Sequence, residues 1–141
     1  MINRFDGEYR FLSNFHSHEI FYRGKLYATN EHAYQAMKTL KTSEREMIRN
    51  ASTPGKAKRL ARKIVLRPDW DNEKITVMLV INAIKYQDPE LRAKLLATGD
   101  EELVEGNHWG DTFWGVCDGV GQNYLGRILM FIRDEIRKGN L

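Results

Sequence analysis

The sequence predicts a helix-rich α+β fold, a single domain over residues 1–141 with a small, mostly antiparallel sheet. Two observations point there. Apolar residues recur at helical spacing through most of the chain beyond Asn30, whereas strand-like runs are short and bounded by turn residues. Those short runs are not separated regularly by helices, which argues against a doubly wound parallel sheet. No internal repeat, low-complexity tract or Pro/Ser-rich linker interrupts the chain, and it is long enough to bury a core.

In chain order, Ile20-Phe21-Tyr22 and Lys25-Leu26-Tyr27 flank Arg23-Gly24 and read as a β-hairpin. Thr29 or Asn30 then caps a helix that carries Glu31 to Lys38, with Ala33, Ala36, Met37 and Leu40 on its packing side. Ser43-Glu44-Arg45-Glu46 has the capping-box form and starts a short second helix. Thr53-Pro54 repeats the start signal, a cap followed by a first-turn proline. Beyond it lies the densest positive charge: Lys56, Lys58, Arg59, Arg62, Lys63 and Arg67. Such a run grips phosphates in nucleic-acid-binding proteins, but more often it is the solvated face of a helix, here with Leu60, Ile64 and Val65 inward. Asp69 caps the next helix, which runs through Ile75, Met78, Leu79 and Ile81 to Tyr86. It is apolar on most sides between Thr76 and Ile84, the pattern of a central buried helix. Asp88-Pro89 begins another helix, closed by Gly99. Leu103-Val104-Glu105 and Thr112-Phe113-Trp114 read as extended around a polar turn. The last helix turns Leu125, Ile128, Leu129, Ile132 and Ile136 inward and ends near Gly139.

Composition narrows the class of function. The 42% hydrophobic and 29% charged fractions are those of an ordinary soluble protein. No apolar run is long enough to span a bilayer, so no membrane partner is expected. The first residues lack the apolar core of a secretory signal, and a single cysteine, Cys117, excludes an intrachain disulfide. A cytoplasmic location follows as the expectation. The formal net charge of +3 suits phosphorylated or anionic ligands without requiring them. Oligomeric state is not legible.

Chemistry concentrates in Asn30-Glu31-His32-Ala33-Tyr34-Gln35-Ala36-Met37-Lys38. At roughly 100° per residue, Glu31, Gln35 and Lys38 fall within about 60° of one another on one helix face. That face aligns an acid, an amide and an amine. The plainer reading is an i,i+7 coincidence, with Glu31 favouring the helix N-terminus. Trp109-Gly110-Asp111-Thr112-Phe113-Trp114 joins aromatic faces to a carboxylate, which suits a planar heterocycle and equally suits a core. Asp111, if buried, needs a partner. The glycines of Gly119-Val120-Gly121-Gln122-Asn123 let the backbone approach a ligand, or simply turn the chain into the last helix. The segment is neither a Walker loop nor a dinucleotide fingerprint. His16, His18, His32 and His108 show no metal-ligand spacing, and no cofactor is indicated. Cys117 lacks a histidine partner in sequence, and no Gly-x-Ser-x-Gly elbow is present.

Ser13-Asn14-Phe15 followed by Glu31 to Lys38 resembles the signature of the NADAR family, which includes the YbiA-type N-glycosidases. The similarity continues through Pro54 to Arg62, Trp70, Leu103-Val104-Glu105, Asp111 to Gly115 and Gly121 to Gly126, covering nearly the whole chain in order. Ala61 stands where the family often has glycine, and the loop from Val116 to Gly121 is short with fewer glycines.

The resemblance implies cleavage of an N-glycosidic bond to ribose. One implied substrate class is the phosphorylated ribosylamino-pyrimidine intermediates of riboflavin synthesis; the other is ADP-ribosylated guanine in DNA. A non-catalytic ADP-ribose or nucleotide sensor is the alternative of another class. As catalytic residues it implies Glu31, Lys38 and Asp111: Glu31 steadies charge or moves a proton, Lys38 attacks C1 to form a Schiff base, and Asp111 exchanges a proton or binds the sugar hydroxyls. As binding residues it implies Asn14 and Gln35 for polar recognition, Tyr34 and Trp114 for stacking, and Gly121 and Asn123 at the phosphate end. An amine nucleophile must be partly neutral, against an ordinary lysine pKa of about 10.4. Burial or a second cation would lower it, and an ionised Glu31 would raise it.

Overall fold

The hairpin forms as the sequence predicts. Strands β1 (Ile20–Tyr22) and β2 (Lys25–Tyr27) pair antiparallel with Tyr22 opposite Lys25. Arg23 and Gly24 both take positive φ, 49° and 77°, the two-residue turn whose twist matches the flanking strands. Ile20, Tyr22 and Tyr27 are buried while Phe21 and Leu26 face solvent. The computed structural model describes residues 1–141, which form two compact units, Asn14–Lys85 and Met1–Ser13 with Tyr86–Leu141.

The first of these carries the hairpin and four helices: α1 (Asn30–Ala36), α2 (Thr42–Arg49), α3 (Pro54–Leu60) and α4 (Trp70–Lys85). Helix α1 packs against α2, α3 and α4, and α4 supports β1. Thr29 and Thr53 cap α1 and α3 by accepting from the amides of His32 and Lys56. Helix α2 departs from expectation. It starts at Thr42, with Lys41 at the cap position and no side-chain cap bond. The Ser43 box fails because the Glu46 carboxylate that would close it is taken by Arg49 and Lys25. The basic run leaves its helix early: a 3-10 turn at Ala61–Lys63 follows α3, Ala57 and Ala61 supply the buried face, and Val65 is 61% exposed. Leu40, expected on the packing side of α1, is likewise exposed. Helix α4 buries Val77, Met78, Ile81 and Asn82 but leaves Ile75 and Val80 partly open, so it is covered on one side rather than all round.

The second unit begins with a 3-10 turn at Gly7–Leu12 and holds α5 (Pro89–Ala97) and α6 (Tyr124–Arg137). Asp88 caps α5 through the Leu91 amide, and Gly99 ends it at φ 64°. Leu125, Ile128, Leu129, Ile132 and Ile136 are the buried stripe of α6, as their spacing predicts. Its small sheet differs from the expected one. Strands β3 (Gly106–Asn107) and β4 (Val116–Cys117) pair parallel, a few residues beyond the predicted runs, and Leu103 bridges to Ile2 instead. Residues 112–114 cannot extend because Asp111 Oδ1 accepts from the amides of Phe113 and Trp114 and folds them into a turn. The architecture is helix-rich α+β, with the hairpin as its antiparallel sheet. No helix is long and apolar enough to cross a membrane.

Candidate active site

Every residue of α1 is buried, an unusual state for a helix carrying Asn, Glu, His and Gln in seven positions. Buried polar groups need partners, and here each partner fixes the helix. His32 is clamped at both ring nitrogens, Nδ1 to Thr29 Oγ1 at 2.8 Å and Nε2 to Ala51 O at 2.9 Å. That pattern makes the imidazole a strut between α1 and the loop before α3. Asn30 Nδ2 donates to Asn14 Oδ1 at 3.2 Å and to Asn82 Oδ1 at 2.9 Å. The Asn14 carbonyl accepts from the Glu31 amide at 3.1 Å, so Asn14 holds the start of the helix from both its side chain and its backbone. Asn82 was detectable in principle as the polar interruption of an apolar run on α4.

Glu31 and Gln35, one turn apart, meet directly: Gln35 Nε2 donates to Glu31 Oε1 at 2.7 Å. Lys38 lies beyond the helix rather than in it, since α1 ends at Ala36 with Met37 as its cap. Its amide bonds back to Gln35 O at 3.2 Å, which continues the turn and keeps Lys38 on the same side. The carbonyls freed at this helix end are taken by Arg67, whose amide donates to Lys38 O at 2.8 Å and whose Nη1 donates to Met37 O at 3.4 Å. Arg67 is itself held by Asp69 in a fork of 2.7 and 3.0 Å, and this pairing keeps the Asp69 carboxyl below its ordinary range. Lys38 Nζ sits 5.4 Å from the centre of the Tyr34 ring, which packs at 5.2 Å on Trp70.

Burial lowers the Lys38 pKa from its ordinary value; Glu31 opposes that, and Lys58, Arg62 and Lys74 add to it. The basic run therefore acts on Lys38, a role that its spacing alone does not announce. Lys74 is paired with Asp71, whereas no salt bridge of this unit engages Lys58 or Arg62. An amine held partly desolvated among cations is poised toward its neutral form.

The remaining expected residues lie in the other unit, around the turn before α6. Asp111 is half-buried; its amide donates to Asn107 Oδ1, Oδ1 caps the turn, and Oδ2 makes no hydrogen bond within the protein. Trp114 meets Phe113 edge-on at 4.8 Å, and Phe113 packs on Tyr124 at 4.7 Å. Asn123, at φ 54°, spends its side chain on the chain before β3, accepting from the Glu105 amide and donating to Leu103 O. Gly121, at φ 154°, brings its backbone against Gly115 and Val116. The structure thus assembles Asn14, Glu31, Tyr34, Gln35 and Lys38 in one unit and Asp111, Trp114, Gly121 and Asn123 in the other. No three His, Cys, Asp or Glu side chains converge to hold a metal ion. Asp111→Ala is expected to lower stability by about 1 kcal/mol through loss of the turn cap, and Asp111→Asn by less because it keeps the acceptor. Urea denaturation of the two variants measures the difference.

The NADAR domain family model matches residues 2–137. N-glycosidase YbiA of Escherichia coli is 40% identical over 133 residues, covering 92% of this chain and 82% of that protein. A riboflavin biosynthesis protein of Vibrio vulnificus is 39% identical over 137 residues, covering 94% of this chain; the chain spans only 37% of that protein's length. The solution structure of E. coli YbiA superposes with a TM-score of 0.86 at 37% identity, covering 99% of this chain and 88% of the other. On this evidence the chain belongs to the NADAR domain family.

Proposed function

We propose that the protein is an N-glycosidase that hydrolyses the C1–N bond of phosphorylated ribosylamino-pyrimidines of riboflavin biosynthesis, releasing the base and ribose 5-phosphate. N-glycosidase names among relatives at about 40% identity, in E. coli and in Nostoc punctiforme, support the reaction class. The riboflavin biosynthesis name of the V. vulnificus relative supports the substrate class. The observation in this chain that carries the reading is an amine depressed below its ordinary pKa on the same side of a turn as a fixed carboxylate.

Glu31 in its acid form gives a proton to the ring oxygen, and the ring opens to a C1=N iminium. The neutral Lys38 amine adds to C1, its proton passes to the departing nitrogen, and the base leaves a lysine Schiff base. Water then adds to C1, ribose 5-phosphate is released and Lys38 is regenerated. The family resemblance carries Asp111 into the proposal as a proton-exchanging acid and Trp114 as a stacking ring. Tyr34 seats Lys38. Asn14 and Asn123 act by holding α1 and the turn before α6, and Gly121 by letting that turn close. The unbalanced charge of Lys58 and Arg62 favours a phosphorylated substrate. A cytoplasmic location belongs to the same proposal, in keeping with the single free cysteine.

A second reading rests on the exposed Lys56, Arg59, Arg62 and Lys63: removal of ADP-ribose from guanine in DNA. Borohydride trapping with each substrate, followed by peptide mass mapping, tests both. An adduct on Lys38 from the pyrimidine nucleotide is the expected result. An adduct only from ADP-ribosylated DNA, with binding that weakens steeply as salt is added, replaces the first reading by the second. Product without an adduct assigns the attack to water. Tight binding with no product from either substrate leaves a nucleotide sensor.

A further inference from the structure

Two buried amides of α1 keep an oxygen to which no protein group donates, Asn30 Oδ1 and Gln35 Oε1. They differ in what their nitrogens serve. Asn30 is bound into the packing by Asn14 and Asn82, whereas the Gln35 nitrogen rests on Glu31, the carboxylate assigned to the chemistry. Gln35 is only 2% exposed, so an acceptor left without a donor is a standing deficit in the folded protein. Turning the amide over does not remove it. The oxygen would then oppose the Glu31 carboxylate, and the nitrogen would become the group without a partner.

Nitrogen and oxygen share one planar amide, so Gln35 Oε1 lies within about 5 Å of Glu31 Oε1. A carboxylate acting at the ring oxygen of a ribose has the 2′-hydroxyl, on the carbon next to C1, inside the same span. We propose that Gln35 is a positioning and specificity residue: its nitrogen fixes Glu31, and its oxygen accepts the substrate's 2′-hydroxyl, restricting the enzyme to ribosyl over 2′-deoxyribosyl substrates. The assignment deepens the N-glycosidase reading and rests on it. It also gives the selectivity a source, because a site built to bond a hydroxyl rejects the analogue that leaves its polar group unpaired.

The test is calorimetric binding of ribose 5-phosphate and 2-deoxyribose 5-phosphate to the wild-type protein, Gln35→Met and Gln35→Glu. Thermal melts check folding, and wild-type turnover is measured in parallel. The wild type should bind ribose 5-phosphate roughly 10- to 100-fold more tightly. Gln35→Met, close in volume, should lose most of that preference, and Gln35→Glu, which keeps an acceptor in place, should retain it. Equal or undetectable binding of the two sugars by the wild type overturns the assignment. So does a preference that survives Gln35→Met, or one that Gln35→Glu abolishes. Turnover without the preference leaves the N-glycosidase reading standing alone. A preference that follows Gln35 without turnover keeps the sugar contact and removes the hydrolytic reading.

Discussion

Lys38→Met is expected to abolish both turnover and borohydride trapping while leaving the fold at least as stable at neutral pH. Loss of the nucleophile should lower kcat by about 10³-fold or more. The stability result follows from linkage. The folded pKa of Lys38 lies below its unfolded value, chiefly through burial and with help from Lys58, Arg62 and Lys74. Between those two values the unfolded chain holds a proton that the folded chain lacks, so stability rises with pH across the window. Below it, both states carry the charge, and the folded state bears the whole penalty of an ammonium among cations. Methionine removes that penalty. The wild-type rate should climb with pH on the limb set by the depressed pKa of Lys38. Glu31→Gln removes the one opposing charge and should move that limb to lower pH, besides lowering the rate by about 10²- to 10⁴-fold. Near-normal kcat in Lys38→Met, or a limb that ignores Glu31, would take Lys38 out of the chemistry.

Gly121→Ala is expected to be far more damaging than a methyl added at Gly119 in the same turn before α6. A Cβ at Gly121 would lie 2.1 Å from Gly115 O and 2.9 Å from Val116 Cα, both backbone atoms that cannot swing aside. The residue also sits at φ 154°, where a side chain is strained. Overpacking of this kind costs about 3 kcal/mol or more, which for a chain of this size lowers Tm by roughly 10 °C. Gly119→Ala is the matched control. It shares a positive φ, 78°, but nothing lies within 4 Å of the added methyl, so about 1 kcal/mol is expected. Equal melting shifts in the two variants would show that the turn yields, and would sink the close-approach account of Gly121.

Local chemistry was legible where a residue's own conformation decides the outcome. Arg23-Gly24, Thr29, Thr53-Pro54, Asp88-Pro89 and the glycine stops at 99 and 139 all act within a few residues, and the structure places a turn, cap or stop at each. What escaped was set by partners distant in sequence. Glu46 was lost to the capping box because Lys25, on β2, and Arg49 take its carboxylate. The 112–114 run reads as strand by composition, yet one Asp111 oxygen outweighs three β-favouring residues. The same division holds at the site. The Glu31–Gln35–Lys38 face was visible from helical spacing, although the helix stops short of Lys38. Its electrostatic setting was not, because the cations that press on Lys38 come from α3, the following turn and α4. Gly121 shows the converse: a glycine that spacing offers to a ligand is here pressed against its own backbone.

Helix α1 has seven residues, too few for a helix to persist by itself in water. Its geometry is lent entirely by the clamps on His32, Asn30 and the carbonyls beyond Ala36. The Glu31–Gln35 contact therefore has no partially formed version; it arrives with the packing of Asn14–Lys85 and vanishes with it. Amide hydrogens of α1 should exchange only through cooperative opening of that unit, at the rate of its slowest protons. On warming, catalytic competence should be lost in the same step as that packing, without a preceding loosening of the site.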